Sequence, residues 1–208
     1  AEMGRILGDA ASAEIFDAKA SALKEAVNRH LWMDDKGYYA QFLAGRNDDI
    51  LYTKSETLGQ SLAILYGVAE GERAGRLSQS MPVVDFGAPV FWPWIPDQPP
   101  YHNRAVWPFV QSFWVQASAK TGNEAGVLHG IAAVWRAAMM YATNKENYVA
   151  NDGNWRGTQV NSSNMLWSLS GSLGITFRVL MGIQYNDSQA LTFAPAVPRA
   201  LSAERKGK

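Results

Sequence analysis

Residues 10–31, AASAEIFDAKASALKEAVNRHL, decide the fold class. Their apolar side chains recur three and four residues apart, which places them on one face of an α-helix, and polar side chains fill the opposite face. The apolar positions are Ile15, Ala18, Ala22, Leu23, Ala26, Val27 and Leu31. An amphipathic helix of this kind is typical of a protein built from packed helices.

Helical patterns continue along most of the chain. The predicted helices besides residues 10–31 are Glu2 to Leu7, Ser55 to Ala69, Gly71 to Met81, Ala105 to Thr121, Glu124 to Tyr141 and Ser162 to Met181. The helices that begin at Ser55, with Ser55 as N-cap, and at Ser162 are apolar on several sides, so we expect them to be buried on more than one face. Alternation of amphipathic and more fully buried helices predicts two concentric helical layers.

The segments between the helices are polar, aromatic or rich in proline. Residues 82–100 contain six prolines, which predicts an extended loop, and residues 47–49 also predict a loop. Short strand patterns occur at residues 38–43 and again after Gly182. We therefore predict an all-α fold, an (α/α) toroid of helical hairpins that is incomplete relative to a full barrel. It is followed by a short β element.

Three regions follow from this prediction. The partial barrel spans residues 1–182, the β-like element residues 183–200, and a flexible polar tail residues 201–208.

Composition excludes several classes of function for this chain of 208 residues. Nineteen Lys and Arg balance nineteen Asp and Glu, which argues against a nucleic-acid binder and gives no electrostatic reason to lie on an anionic membrane. The absence of cysteine excludes disulfides, thiolate metal sites and cysteine nucleophiles. Three scattered histidines predict no metal site, and no nucleotide-binding or zinc-hydrolase motif is present, so we expect no cofactor.

Aromatic residues are the unusual feature of the composition, with eight each of Trp, Tyr and Phe. They supply core area, or they form platforms for a sugar ring. Residues 101–107, YHNRAVW, lead into a predicted helix and place Tyr101, His102, Asn103 and Trp107 close together. They suit a sugar, which needs hydrogen bonds on its rim and a flat partner on its face. A structural helix start with Trp107 in the core is the alternative.

Carboxylates and further polar groups lie in the other loops. Glu146, in the polar loop 143–159, is a candidate general base or else an exposed surface residue. Residues 158–167, ending in Trp167, suit a substrate pocket, although Asn161 or Ser162 also suits an N-cap. Glu56 either complements a helix dipole or points its carboxylate into a cleft.

Together these segments resemble bacterial glycoside hydrolases with an (α/α)6 barrel, and most closely the family 63 glucosidase and trehalase-like clan. Residues 18–39 are similar to a recurrent barrel helix and turn, and residues 101–107 to a substrate-loop motif with Tyr and Trp six positions apart. Glu146, Asn147 and Tyr148, with Asp152 and Gly153, are similar to the segment that carries the general base. Residues 161–182 and 183–198 are similar to the last barrel helix and the element after it.

The resemblance implies inverting hydrolysis of a glycosidic bond in an oligosaccharide, with one carboxyl group as acid and one carboxylate as base. It assigns Glu146 as the base. The sugar-binding candidates are Tyr101, His102, Asn103, Trp107, Trp167 and Glu56. A compartment does not follow, since bacterial cytoplasm and periplasm both fit.

One departure separates the chain from the pattern of that clan. The general acid of the clan is an Asp on a loop before the helix that resembles residues 1–8, and a full barrel has twelve helices against the seven predicted here. The sequence is thus expected to be the C-terminal part of a catalytic domain, a partial barrel completed by another chain, or a repurposed one. Asp48 and Glu56 are candidates for a substitute acid.

An incomplete barrel exposes apolar helix faces, so we expect self-association or a partner chain. Two other functions stay open. One is a non-catalytic carbohydrate-binding or assembly subunit derived from such an enzyme. The other is a different α/α-barrel activity, such as a sugar epimerase.

Overall fold

The computed structural model describes residues 1–45, 49–185 and 190–202 of the chain. In these residues seven α-helices follow one another: α1 Glu2–Leu7, α2 Ala10–His30, α3 Thr57–Leu65, α4 Gly71–Ser80, α5 Pro108–Lys120, α6 Glu124–Tyr141 and α7 Leu166–Gly174. A π-helical segment, Ile175–Leu180, continues α7. The helical fold is confirmed, whereas closure into a toroid and the division at residues 182 and 200 stay predictions. Asp48 lies outside the described residues.

Among the residues that the structure describes, ten short strands form five antiparallel pairs. The pairs are β1 Trp32–Met33 with β2 Tyr38–Tyr39, β3 Phe42–Ala44 with β4 Ile50–Tyr52, β5 Ser55–Glu56 with β6 Phe91–Trp92, β7 Ala105–Val106 with β8 Tyr148–Val149, and β9 Ile183–Tyr185 with β10 Leu191–Phe193. The last pair confirms the predicted β element after the final helix. Single-turn 3-10 helices lie at Trp155–Gly157 and Arg199–Leu201.

Three helices begin later than predicted, because a loop segment before each of them has other backbone partners. Helix α3 begins at Thr57, since Ser55 pairs with Trp92 in a strand, and the N-cap is Glu56, so the prediction of Ser55 was wrong. Helix α5 begins at Pro108, after Ala105 and Val106 pair with β8.

Helix α7 begins at Leu166 with Met165 as its N-cap, so the N-cap predicted at Asn161 or Ser162 was also wrong. The backbone N–H of Met165 donates to the carbonyl of Asn144 at 2.8 Å, which ties the start of this helix to the loop before β8.

Helices α3 and α5 run parallel. Near their first turns Leu58 packs in one cluster with Trp107 and Val110. Near their last turns the Lys120 ammonium donates hydrogen bonds to the carbonyls of Ile64 and Leu65, at 3.0 and 2.8 Å. The first turns of α3 and α5 therefore lie together, and so do their last turns, as expected of parallel helices.

Helix α7 lies parallel to α5 as well. The ring of Trp167 is 6.0 Å from that of Phe109 in the first turns, and one helical step further Gly171 lies against Ser112. The close approach needs a glycine, because a Cβ there would lie 3.0 Å from the Ser112 Cβ and 3.2 Å from the Pro108 carbonyl oxygen. The starts of α3, α5 and α7 thus lie at one end of the molecule.

Helix α6 returns antiparallel along α5 after a turn at Gly122, whose φ of 72° suits glycine. Its buried side chains pack on α5 and on the π-helical segment. The cluster consists of Val115, Val127, Ile131, Val134, Ile175 and Val179. The segment from α5 to α7 therefore has a continuous apolar core of its own.

Helix α2 lies where its periodicity predicts, but most of its apolar stripe is uncovered. Ile15 and Leu23 are 54% and 65% exposed, while Val27 and Leu31, at the other end, pack against the core formed by α3 and α4. In the part of the chain that the structure describes, no helix combines the length and apolar character needed to cross a membrane.

We predict that Gly130→Ala lowers the free energy of unfolding by about 1–3 kcal/mol, because a Cβ at Gly130 overlaps a methyl of the buried, β-branched Val115. Chemical denaturation monitored by circular dichroism measures the change. Gly75→Ala is the matched control, since a Cβ at this position in α4 meets nothing within 4 Å. The free energy of unfolding of the control is expected to rise by up to about 1 kcal/mol, because alanine has a higher helix propensity than glycine. Equal decreases in the free energy of unfolding of both variants would contradict the packing argument.

Candidate active site

An aromatic cluster lies at the starts of α5 and α7. The rings of His102 and Trp107 are stacked, with centroids 5.1 Å apart and an interplanar angle of 16°. Tyr101 contacts both rings, at 4.5 Å from His102 and 5.2 Å from Trp107, and Trp167 is 6.1 Å from Trp107. The structure therefore brings together four of the residues that the sequence singles out.

Trp107 anchors this cluster to the core. Its indole N–H donates to the carbonyl of Tyr101 at 2.8 Å, and its side chain is 8% exposed. His102 is exposed and Trp167 is 42% exposed. Trp107 is thus a core residue over most of its surface, as the alternative interpretation held. The rings of His102 and Trp167 present open faces on which a sugar can stack.

Asn103 has a different local role from its neighbours. Its amide oxygen accepts from the Ile95 N–H at 2.9 Å, and its amide nitrogen donates to the carbonyls of Ile95 and Gln98 at 3.0 and 2.9 Å. These bonds hold the proline-rich loop 95–98 against the cluster. Asn103 is buried, so its side chain shapes the site through this loop.

Glu146 lies beside the cluster because strand β8, two residues further on, pairs with β7 directly before Trp107. The Tyr101 hydroxyl donates to Oε1 of Glu146 at 3.5 Å, and Glu146 is 6% exposed. Burial and the adjacent Glu146 carboxylate both raise the pKa of Tyr101, which keeps its hydroxyl protonated as a donor. The structure thus rejects the alternative of an exposed surface glutamate.

The residues on either side of Glu146 are fixed by Asn161, in the polar run 158–167, and by Ser168 in α7. The Ser168 hydroxyl donates to the Lys145 carbonyl at 2.9 Å, and the Asn161 amide donates to the Asn147 carbonyl at 2.6 Å. The backbone N–H of Glu146 itself donates to the Ser162 carbonyl at 3.0 Å. Much of the run that suggested a substrate pocket therefore serves to hold the Glu146 segment in place.

Lys145 and Ser168 are positioning residues that the sequence analysis did not single out. The Lys145 ammonium donates to the Ser163 hydroxyl at 2.6 Å and lies 3.5 Å from the centre of the Trp155 ring. Lys145 directly precedes Glu146 in the sequence, and this adjacency could have indicated that it helps to position Glu146. Ser168 lies in an apolar helix, and no local pattern marks it.

Glu56 lies at the start of α3, at the same end of the molecule as the aromatic cluster. Its carboxylate caps the helix, accepting from the N–H groups of Leu58 and Gly59 at 3.1 and 2.6 Å. Burial raises the pKa of Glu56, and these two hydrogen bonds oppose the rise. Of the two sequence interpretations, the one in which Glu56 complements the helix dipole describes its contacts.

Several cations near the site have no carboxylate partner. Arg104 lies over the ring of Trp94, and Lys145 and Arg156 lie over that of Trp155. Within residues 1–45, 49–185 and 190–202, the ion pairs are Arg5–Asp17, Lys24–Glu70, Arg76–Asp34 and Arg199–Glu124, all elsewhere. These loops therefore offer positive charge to an anionic group.

The raised pKa of Glu56 predicts a pH-dependent effect of Glu56→Gln. Folding favours the protonated form, so this group stabilises the protein fully below its unfolded pKa of about 4.3, and the contribution is lost as pH rises through the folded pKa. Glutamine lacks this dependence. Thermal unfolding from pH 4 to pH 7 should show the variant gaining stability relative to wild type as pH rises, and a difference independent of pH would contradict the assignment.

Comparison with known proteins places the chain in a family. No curated protein matches it. A family model does match, over residues 1–168, and its description is mannosylglycerate hydrolase MGH1-like glycoside hydrolase domain. The match supports a glycoside hydrolase, whereas membership of the family 63 and trehalase-like clan stays a prediction. Because the match covers most of the chain, the chain belongs to the MGH1-like glycoside hydrolase domain family.

Proposed function

We propose that this domain hydrolyses a glycosidic bond with inversion and that Glu146 is the general base. The observation that carries the proposal is the contact between the nearly buried Glu146 carboxylate and the aromatic cluster at Tyr101. A carboxylate beside stacked rings is the arrangement a glycosidase needs, because the rings hold the sugar and the carboxylate acts on a water next to it.

In the proposed mechanism Glu146 removes a proton from water, and the oxygen of that water attacks the anomeric carbon. The leaving glycosidic oxygen takes a proton from an acid on the other face of the sugar. The Tyr101 hydroxyl donates to one oxygen of Glu146, which leaves lone pairs on the other oxygen for the water. Anchoring on both sides of Glu146 fixes the carboxylate before substrate arrives.

Glu56, whose carboxyl group also caps α3, is our candidate for the acid. Its environment favours the protonated form, as an acid requires, and Leu58 in the same turn packs into the cluster around Trp107. In this proposal Glu56 also contacts the sugar, and the carboxylate left after it donates its proton accepts both capping hydrogen bonds.

The substrate class that fits the site is a glycoside with an acidic group. The family description names mannosylglycerate, in which glycerate carries a carboxylate. Arg104, Lys145 and Arg156 supply cations without carboxylate partners in the described part of the chain, and these fit such a group. A neutral oligosaccharide can also stack on the rings of His102, Trp107 and Trp167. It has no anionic group to pair with these three cations.

We predict that Glu146→Gln lowers kcat by about 10²- to 10⁴-fold, the usual contribution of a general base, because the amide cannot accept a proton. Hydrolysis of mannosylglycerate and of a panel of oligosaccharides and aryl glycosides, followed by NMR of the released anomer, measures both rate and stereochemistry. Glu25→Gln on the exposed side of α2 makes the same chemical change and should leave kcat unchanged.

Unchanged turnover in Glu146→Gln would exclude Glu146 as base, and a retained anomeric configuration would exclude inversion. A non-catalytic carbohydrate-binding subunit is the second candidate function. It is favoured by the observation that both carboxylate oxygens of Glu56 are engaged by backbone N–H groups. Binding of a sugar by the wild-type chain with no turnover on any member of the panel would support this second candidate.

We also predict that Trp167→Ala weakens sugar binding about 2- to 13-fold, because it removes an open ring face worth about 0.5–1.5 kcal/mol. Calorimetric titration measures the dissociation constant. Tyr66→Ala is the control, since Tyr66 is an even more exposed aromatic residue at the opposite end of α3. Equal effects of the two substitutions would place the sugar elsewhere.

A further inference from the structure

Arg104 has a backbone conformation that disfavours its own side chain. Its φ of 56° lies in the left-handed region, where a Cβ is crowded by a neighbouring carbonyl oxygen and glycine is at ease. Three other non-glycine residues in the described part of the chain have a positive φ, and each has an ordinary explanation. Asp97 and Asn164 are of the types that tolerate this conformation, and Ala142 is the C-cap of helix α6. Neither explanation applies to Arg104, so this position keeps an arginine where a glycine would be less strained.

The strained residue belongs to the segment that forms the aromatic cluster. His102, whose ring is exposed, lies two residues earlier, so the Cα atoms of the two residues are at most about 7 Å apart. The Arg104 carbonyl accepts from the Ala150 N–H at 2.8 Å, which ties it to the end of the strand that follows Glu146. The long side chain of Arg104 can therefore reach a group attached to a sugar that stacks on His102.

The Arg104 guanidinium is supported by an aromatic ring. It lies over Trp94, with its central carbon 5.5 Å from the ring centre, and Arg104 is exposed. In the part of the chain that the structure describes, it forms no ion pair with a carboxylate. Asn103 fixes the loop that follows Trp94 through its hydrogen bonds to Ile95 and Gln98. A planar set of N–H donors supported in this way suits the two oxygens of a carboxylate.

The other two cations near the site are held differently. Lys145 is 8% exposed, and its ammonium already donates to the Ser163 hydroxyl. Arg156 lies in the 3-10 helix Trp155–Gly157, a regular conformation that any arginine adopts without strain. Of these three cations, Arg104 is the one kept against the preference of its backbone. Strain of this kind clusters at sites that bind a ligand.

We propose that Arg104 binds the anionic group of the substrate and sets the preference of the site for an acidic glycoside over its neutral counterpart. This assignment rests on the proposed function, because it needs an acidic glycoside at the aromatic cluster. It narrows the recognition of the acidic group from three cations to one residue.

Calorimetric titration of the whole chain with mannosylglycerate and with its amide tests this role. The amide lacks the negative charge, and Glu146→Gln, introduced into every protein titrated, slows hydrolysis of the ligands. With Arg104 present, the acid should bind at least about tenfold more tightly than the amide, because hydrogen bonds between charged groups are the strong ones. Arg104→Ala should bring the two dissociation constants within about twofold of each other.

Arg29→Ala is the matched control, since it removes an exposed arginine at the other end of the molecule. Its neighbour Asn28 donates to the carbonyl of Val68, beyond the last turn of α3. This variant should keep the full preference for the acid. Equal affinity of the Arg104 protein for acid and amide, no binding of the acid, or an Arg104→Ala variant that keeps the preference would each overturn the proposal. A wild-type chain that binds the acid with this preference but does not hydrolyse it would contradict the proposed function and support the role of Arg104.

Melting temperatures test whether the backbone at Arg104 is strained. Arg104→Gly and Arg104→Ala both remove the guanidinium, but only glycine also removes the crowded Cβ. The glycine variant should therefore melt about 2–4 °C above the alanine variant. Ala142→Gly makes the same change from alanine to glycine at a φ of 50° and should raise the melting temperature by a similar amount. Circular dichroism measures the transitions and establishes that each variant is folded, and a glycine variant that melts below the alanine variant would overturn the inference from strain.

Discussion

The parallel packing of α3, α5 and α7 is the constraint on which the rest of the structure depends. Lys120 ties the ends of α3 and α5 together, and Gly171 lets α7 lie directly on α5. With three helices aligned in the same direction, the loops that lead into them meet at one end. Glu56, Trp107 and Trp167 come from distant parts of the sequence, and each belongs to the start of one of these helices.

The same constraint accounts for the position of Glu146. The segment that carries it lies between α6 and α7, so it passes the starts of α5 and α7 and pairs with β7 just before Trp107. Its neighbours Lys145 and Asn147 then bond to residues 161–168, which lead into and begin α7. The segment that carries the carboxylate is thus fixed by two helix starts at once, and this rigidity suits the role of general base proposed for Glu146.

Sequence periodicity predicts the helices well because it depends on residues that are near neighbours in the chain. The bounds of α1, α2 and α6 follow directly from it. The starts of α3 and α5 were misplaced because Ser55 pairs with Trp92 and Ala105 pairs with Val149, and such long-range backbone pairing leaves no local pattern. Local sequence therefore gives the type of each element more reliably than its first residue.

The candidate site could likewise be predicted from local sequence only in part. The types of side chain in residues 101–107 correctly pointed to a cluster around Trp107, because close neighbours in sequence stay close in space. The composition could not separate these aromatics from Trp114 and Tyr148, which are fully buried in the core. Asn103 has the polarity expected of a sugar ligand, yet its partners are the backbone groups of the loop at Ile95.

Helix α2 shows what an amphipathic pattern specifies and what it leaves open. The pattern requires an apolar partner for the whole stripe, but the chain provides one only near Val27 and Leu31. Ile15 and Leu23 stay exposed, so the periodicity specifies the conformation of this helix without specifying what packs against it.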